Sequence, residues 1–593
     1  MWPTQIPTRR HLLKGALALA AGKLCSGVPL SAYPAAKTVS GAEGGQAFGP
    51  NALPSRADVV MSLRTRHPEG LQRLQEFHAT RNEWVYTTDA GYVAEMKKTV
   101  SHVGLAVNLI KRVANDSGAA YDVDGGMIVA PWMRGPGNNT PWNSIFKSAS
   151  RDAFGKSLDD SVRAGADSIQ FDDPATDYEL INFAGGDFSP EAIAAFKSYC
   201  QTATNSKACG ELNAHGHNIA DWVRQRAGNG SHVDWVEFKK QYGSEPVWRE
   251  WDSFLKYSSK GFMGSVRQHL HTLPRPIPLS ANVNNPLPRP DFTFLFDSTD
   301  YLISEIYNVH SAGQLKAYHA CAAAWQLPLI PSFVPVSTGI TQWSIALGYA
   351  LGDTPLVPWD VFVPGKERYF GSVADHGHLF DFVRANAARF TDYEEFADVA
   401  LIVDENTANV NSLHLAGTKC VELGASFRMV VLRPDGTVTQ SQQMHFSPAV
   451  AVTVDCSPSV AKKLFPSIPT ISSDDWNSNH PALKRIIRTV SLDHQRIVAV
   501  PRINPKNNSL IVHVVDAREA ESTLGDEQFV DLILPPSYQG SVQQVQHALM
   551  IGPRGASASQ AVSWRRDKEN LIARVPLAGL TRWGIVMFDN HMT

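Results

Sequence analysis

The chain has 593 residues, 43% of them hydrophobic and 19% charged, with a formal net charge of -3. Domains usually run to about 100–250 residues, so this length implies two or three packed cores rather than one, and the composition excludes a mainly disordered chain. The near-neutral charge excludes broad electrostatic attraction to nucleic acid or an anionic membrane.

The N-terminus reads as an export signal. Thr8-Arg9-Arg10-His11-Leu12-Leu13-Lys14 precedes a short Ala-rich apolar run, 15–22, as in a twin-arginine signal. That run is shorter than the roughly 20 residues needed to cross a bilayer, and no membrane anchor is expected. We take 1–36 as the signal and the Gly-, Ala-, Pro- and Ser-rich stretch 37–60 as a linker. The expected location is periplasmic or secreted, with the twin-arginine machinery as a partner. Cys200 and Cys209, nine residues apart, are suited to a disulfide in an oxidising compartment or to remaining free thiols.

Residues 61–395 alternate strand-like and helix-like segments, the grammar of an α/β fold with a parallel sheet. Eight strands are predicted, at 83–87, 104–109, 127–132, 168–172, 278–283, 301–307, 328–334 and 355–362. Helical periodicity falls between them at 92–100, 145–164, 236–270, 313–325, 343–351 and 378–389. The count suits a (β/α)8 TIM barrel with insertions. Residues 396–487 repeat a strand–helix–strand pattern on a smaller scale, as in a flavodoxin-like α/β domain, without a Gly-rich phosphate loop. Short strands separated by turn residues then fill 488–593, predicting a C-terminal β-sandwich.

Two strand ends carry chemistry. Gln170-Phe171-Asp172-Asp173-Pro174 closes the fourth predicted strand on two carboxylates, at the end of the barrel where active sites form. Asp173, before a proline, is equally suited to capping the following turn. Glu305 lies late in the apolar sixth strand, Tyr301 to Tyr307, where a carboxylate is costly unless it faces a partner or a substrate. Glycoside hydrolysis requires such a pair, one group protonating the leaving oxygen and the other acting as nucleophile or base. Asp172 is expected as nucleophile or base and Glu305 as general acid, with Asp173 and Asp360 as reserve carboxylates. Tyr86, Asn108, Trp132, Trp142, Asn282, Tyr307, Trp359 and Arg368 lie at or beyond predicted strand ends and are the expected sugar-binding residues. Aromatic faces stack on pyranose C–H surfaces, and amides and Arg pair with hydroxyls.

This pattern resembles bacterial (β/α)8-barrel glycoside hydrolases. The Phe-Asp ending of the fourth strand is similar to that of α-fucosidases and α-galactosidases, and the Asp-then-Glu pair on strands four and six to the endo-α-galactosaminidase group. The α/β unit and β-domain after the barrel are similar to the layout of β-galactosidase-like enzymes, although no Asn-Glu pair ends the fourth strand. The resemblance implies hydrolysis of an oligo- or polysaccharide, without a cofactor or metal, and a role of the α/β unit in a homo-oligomer. Two rival readings stand beside it. One is a non-catalytic exported carbohydrate-binding scaffold. The other is a metal-dependent barrel hydrolase, drawing ligands from His78, His102, His310, His376 and His378.

Overall fold

The structure is a computed structural model that describes residues 48–589, except 112, 135–138, 203–206, 229–231, 364–365, 435, 440–447, 491–496, 508, 518–528, 536–546, 554–559, 578–579 and 581. The twin-arginine motif therefore lies outside the described residues. A parallel sheet runs β1 (Val60–Met61), β2 (Arg81–Val85), β3 (His102–Val107), β4 (Ser168–Phe171), β5 (Leu279–Ala281), β6 (Tyr301–Ile306) and β7 (Leu329–Phe333), in that order. The segment 354–357 closes the ring. Thr354 and Leu356 donate to the β7 carbonyls of Leu329 and Pro331 at 3.0 Å each, and Val357 donates to Val60 at 2.8 Å. This part of the chain is thus a TIM barrel.

The predicted strand count was right for compensating reasons. Residues 127–132 do not join the barrel. They bridge Tyr121 through Met127 and then enter a 3-10 turn at Pro131–Met133. The true first strand is β1, two fully buried residues at the edge of the expected linker. Asp172 and Glu305 consequently still follow or occupy the fourth and sixth strands.

Strand side chains alternate between the barrel interior and the surrounding helices. Register pairs Gly104 with Ser168, Gln170 with Ser280, and Glu305 with Ser332. The interior therefore has layers. Its floor is polar: Glu83 accepts from Arg81 at 2.7 Å, Ser168 at 2.9 Å and Tyr301 at 3.1 Å. Burial opposes the Glu83 charge, but His102 and Arg81 hold its carboxyl down at about 2. Above this floor Val60, Trp84, Ala106, Tyr301, Ile303, Ile330 and Leu356 form an apolar plug.

Between β4 and β5 a helical insertion (Pro190–Thr202, Lys207–His215, Ile219–Ala227, Trp235–Tyr242 and Pro246–His271) builds its own aromatic core around Phe196, Trp235, Trp248 and Trp251. Cys200 and Cys209 form a disulfide within it.

The flavodoxin-like unit is a four-stranded parallel sheet, ordered Phe427–Leu432, Val399–Asp404, Val450–Val454, Thr470–Ser472. Its helix Val410–Glu422 lies on the barrel helix Ala312–Ala324. The two approach so closely that a Cβ on Gly313 would meet the Thr418 amide nitrogen at 2.4 Å. Enclosure on both sides explains why Ala312–Ala324 is almost wholly buried, its Gln314, Lys316 and His319 included. The C-terminal sandwich pairs a four-stranded with a six-stranded antiparallel sheet. Glu394–Glu395, just before the expected boundary, already belongs to the larger sheet by pairing with Ile503 and Arg502. The sandwich docks on the barrel through Trp583, stacked on Tyr349 at 6.2 Å.

Candidate active site

Asp172 is the first residue beyond β4 and continues the inward alternation of Ser168 and Gln170. Its amide donates to Val107 at 2.9 Å, which fixes the backbone. One carboxyl oxygen accepts from Asn282, beyond β5, at 2.7 Å; the other accepts from the Tyr86 hydroxyl. Burial pushes the Asp172 carboxyl above the usual aspartate range. The bonds from Tyr86 and Asn282 oppose that push, and the nearby Glu305 charge adds to it. Asp172 and Glu305 therefore share one electrostatic environment at the C-terminal mouth of the barrel.

Glu305 follows Tyr301 and Ile303 on the inward face of β6 and is 8% exposed. One carboxyl oxygen faces the Arg64 guanidinium at 2.9 Å, and the other accepts from the Tyr307 hydroxyl at 2.6 Å. Arg64, just beyond β1, is itself buried and lies over the Trp84 ring, with the guanidinium carbon 3.4 Å from the ring centroid. The Trp84 indole N–H points to the Tyr86 hydroxyl at 3.3 Å. Tyr86 is 41% exposed, so this end of the barrel opens to solvent. Enclosure of its hydroxyl, then the adjacent Asp172 charge, push the phenol well above its ordinary value and keep it a donor.

Of the expected residues, Asp172, Glu305, Tyr86, Asn282 and Tyr307 come together in this network. Trp132 is 37% exposed and packs edge-on against Phe183 at 5.6 Å, in the loop that follows Asp173. Asp173 takes a left-handed backbone (φ 55°), and its carbonyl accepts from the Thr176 amide at 3.1 Å, as a turn former does. Asn108 caps its own turn by accepting from the Ile110 amide at 3.2 Å.

Four expected residues fall elsewhere. Trp142 has no exposed surface; it is a core residue of the β3–β4 connection, packed against Trp132 and Phe183. Trp359 is buried between His67 and Phe370. Asp360 is fully buried and its oxygens are already engaged: one accepts from the Thr65 amide at 3.0 Å, and Arg368 binds the other as well as the Asp360 carbonyl. Asp360 and Arg368 thus brace the segment carrying Arg64, rather than facing a ligand.

The histidines of the metal reading are dispersed. His102 lies in the barrel floor beside Glu83, His78 faces Asp381 at 3.7 Å, and His376 is buried beside Tyr369. Among the described residues no group of three His, Cys, Asp or Glu is placed to hold a metal ion. Sequence reasoning missed Arg64 and Trp84. The signal for Arg64 was the apolar run 59–61 just before it; nothing in the sequence marks Trp84.

No family model and no curated protein matches this chain. Among solved structures it is similar to α-L-fucosidase isoenzyme 2 from Paenibacillus thiaminolyticus, at 10% identity over 90% of this chain and 99% of that one, with a TM-score of 0.57. It is similar to the β-galactosidase from Bacillus circulans sp. alkalophilus, also at 10% identity, over 88% of this chain and 99% of that one, with a TM-score of 0.56. The chain shares their fold. The match covers 90% and 88% of this chain, so the likeness extends beyond the barrel.

Proposed function

We propose that this chain hydrolyses a glycosidic bond in an oligo- or polysaccharide, with Asp172 and Glu305 as the reacting carboxylates. The observation that carries the reading is the pair itself, one carboxylate just beyond β4 and one on β6, at the barrel end where (β/α)8 enzymes place their chemistry. Two solved structures of this fold are a fucosidase and a β-galactosidase, which supports the same class. The open rings of Tyr86 and Trp132 offer stacking faces for pyranose, and the Asn282 carbonyl oxygen, without a hydrogen-bond partner among the described residues, suits a sugar hydroxyl.

The electrostatics favour an exchange of the roles expected from sequence. Asp172, raised by burial and by the Glu305 charge, is assigned as the general acid that delivers a proton to the leaving oxygen. Glu305, facing the Arg64 guanidinium, acts as nucleophile or base. Neither the burial of Asp172 nor the placement of Arg64 can be read from sequence. The twin-arginine reading of residues 8–14 would direct this activity outside the cytoplasm.

The test is a panel of aryl glycosides and polysaccharides, assayed with the wild type, Asp172→Asn and Glu305→Gln. Release of sugar by the wild type, reduced roughly 10²-fold or more in both variants, supports the proposal. Polysaccharide binding without cleavage supports the scaffold reading instead.

A further inference from the structure

We infer that Trp84 is a positioning residue that sets the donors of both carboxylates at once; the inference rests on reading Asp172 and Glu305 as the reacting pair. Arg81 and Glu83 of β2 point into the barrel, so regular alternation would turn Trp84 outward. The pairing of β2 with β3 instead shifts register between Asn82 and Val85, and Trp84 takes a left-handed conformation (φ 60°). A bulky non-glycine residue rarely adopts that conformation, and it is held only where surrounding contacts fix it. Here the bulge turns the indole inward, where it packs with Val60, Ala106, Ile303 and Ile330.

The inward ring then makes two contacts of different chemistry. Its face supports the Arg64 guanidinium at 3.4 Å, and Arg64 donates to Glu305 at 2.9 Å. Its edge presents the indole N–H to the Tyr86 hydroxyl at 3.3 Å, and Tyr86 donates to Asp172. An N–H donated to the phenol oxygen polarises its O–H and strengthens donation to Asp172. Without the indole N–H, Tyr86 becomes a weaker donor and the Asp172 carboxylate loses stabilisation.

Trp84→Phe keeps an aromatic face for Arg64 and removes the N–H; Tyr86→Phe removes the donor itself and leaves the bulge intact. The readout is the titration of the Asp172 carboxyl in the full chain, followed by carboxyl 13C NMR and assigned with Asp172→Asn, and it requires no substrate. In both variants the Asp172 titration should move to higher pH, by about half a unit or more, with the larger shift in Tyr86→Phe. A bulge with only a packing role would leave the titration in place. If Tyr86→Phe shifts it and a folded Trp84→Phe does not, the inference is overturned. If neither shifts it, the relay is absent and the inference is likewise overturned. Failure of the glycosidase reading is seen separately, as full activity of Asp172→Asn and Glu305→Gln on a cleaved substrate.

Discussion

Arg64 reaches from the end of β1 to donate to Glu305 on β6 at 2.9 Å, and both side chains are almost completely withdrawn from solvent. A buried ion pair adds little net stability over apolar residues of the same shape, but removing one partner leaves an uncompensated charge. Arg64→Met should therefore destabilise the barrel by about 3–5 kcal/mol. The double variant Arg64→Met/Glu305→Gln should recover much of that loss, because the orphaned carboxylate is gone. Denaturant unfolding of the two variants checks this; equal stability of both would show that Glu305 finds another counter-charge.

The same pair couples to Asp172. Removing the Glu305 charge takes away a repulsion that raises the Asp172 carboxyl and leaves Arg64 unneutralised nearby. Both effects favour the ionised aspartate. In Glu305→Gln the Asp172 carboxyl should titrate at lower pH than in the wild type, opposite in direction to Trp84→Phe. The carboxyl 13C titration reads both, and an unchanged value in Glu305→Gln would mean that the two groups do not sense each other.

A second charged cluster lies where the barrel meets the later domains. His319 faces Asp353 at 2.7 Å and Glu395 at 3.6 Å. Burial opposes its charge, but these carboxylates raise it from 6.5 to about 9. A raised folded value gives a contribution fully present below the unfolded value of 6.5 and lost as pH rises through about 9. The size is on the order of 3 kcal/mol. Thermal stability should fall across that window in the wild type and fall less in His319→Gln. Asp398, raised to about 8 by burial, loses its contribution between 3.8 and about 8 in both proteins, so only their difference reports His319. Parallel curves would refute the assignment.

The barrel and the α/β unit are joined through glycines. A Cβ on Gly313 would enter the backbone of Val410–Glu422, which cannot yield as a flexible side chain would. Gly313→Ala should destabilise the chain by about 1–3 kcal/mol, visible as a lower melting temperature. An unchanged melting temperature would mean that this docking contributes little.

Much of this architecture was legible in the sequence, and the exceptions have physical causes. Asp172 and Glu305 could be found because a carboxylate ending a buried strand is conspicuous. β1 was hidden because it is only Val60 and Met61, set in a stretch rich in turn formers. Residues 127–132 read as a strand because Ile128, Val129 and Ala130 are apolar, yet Ile128 and Ala130 pack with Trp142 in a loop core, outside the sheet. Trp142 and Trp359 read as sugar platforms because sequence gives the residue type at a strand end but not the direction of its ring. Trp84 stayed invisible for the strongest reason: its inward turn depends on a register shift between two strands, which no local pattern encodes.

In the proposed reaction Asp172 and Glu305 act as one unit on one bond. Turnover of a cleaved glycoside by the wild type, Asp172→Asn, Glu305→Gln and the double variant tests this. Residues that act together in one step are non-additive when removed. Each single variant should lose roughly 10²-fold or more, and the double variant should be little worse than the weaker single one. Losses that multiply in the double variant, or single variants that retain wild-type turnover, would contradict it.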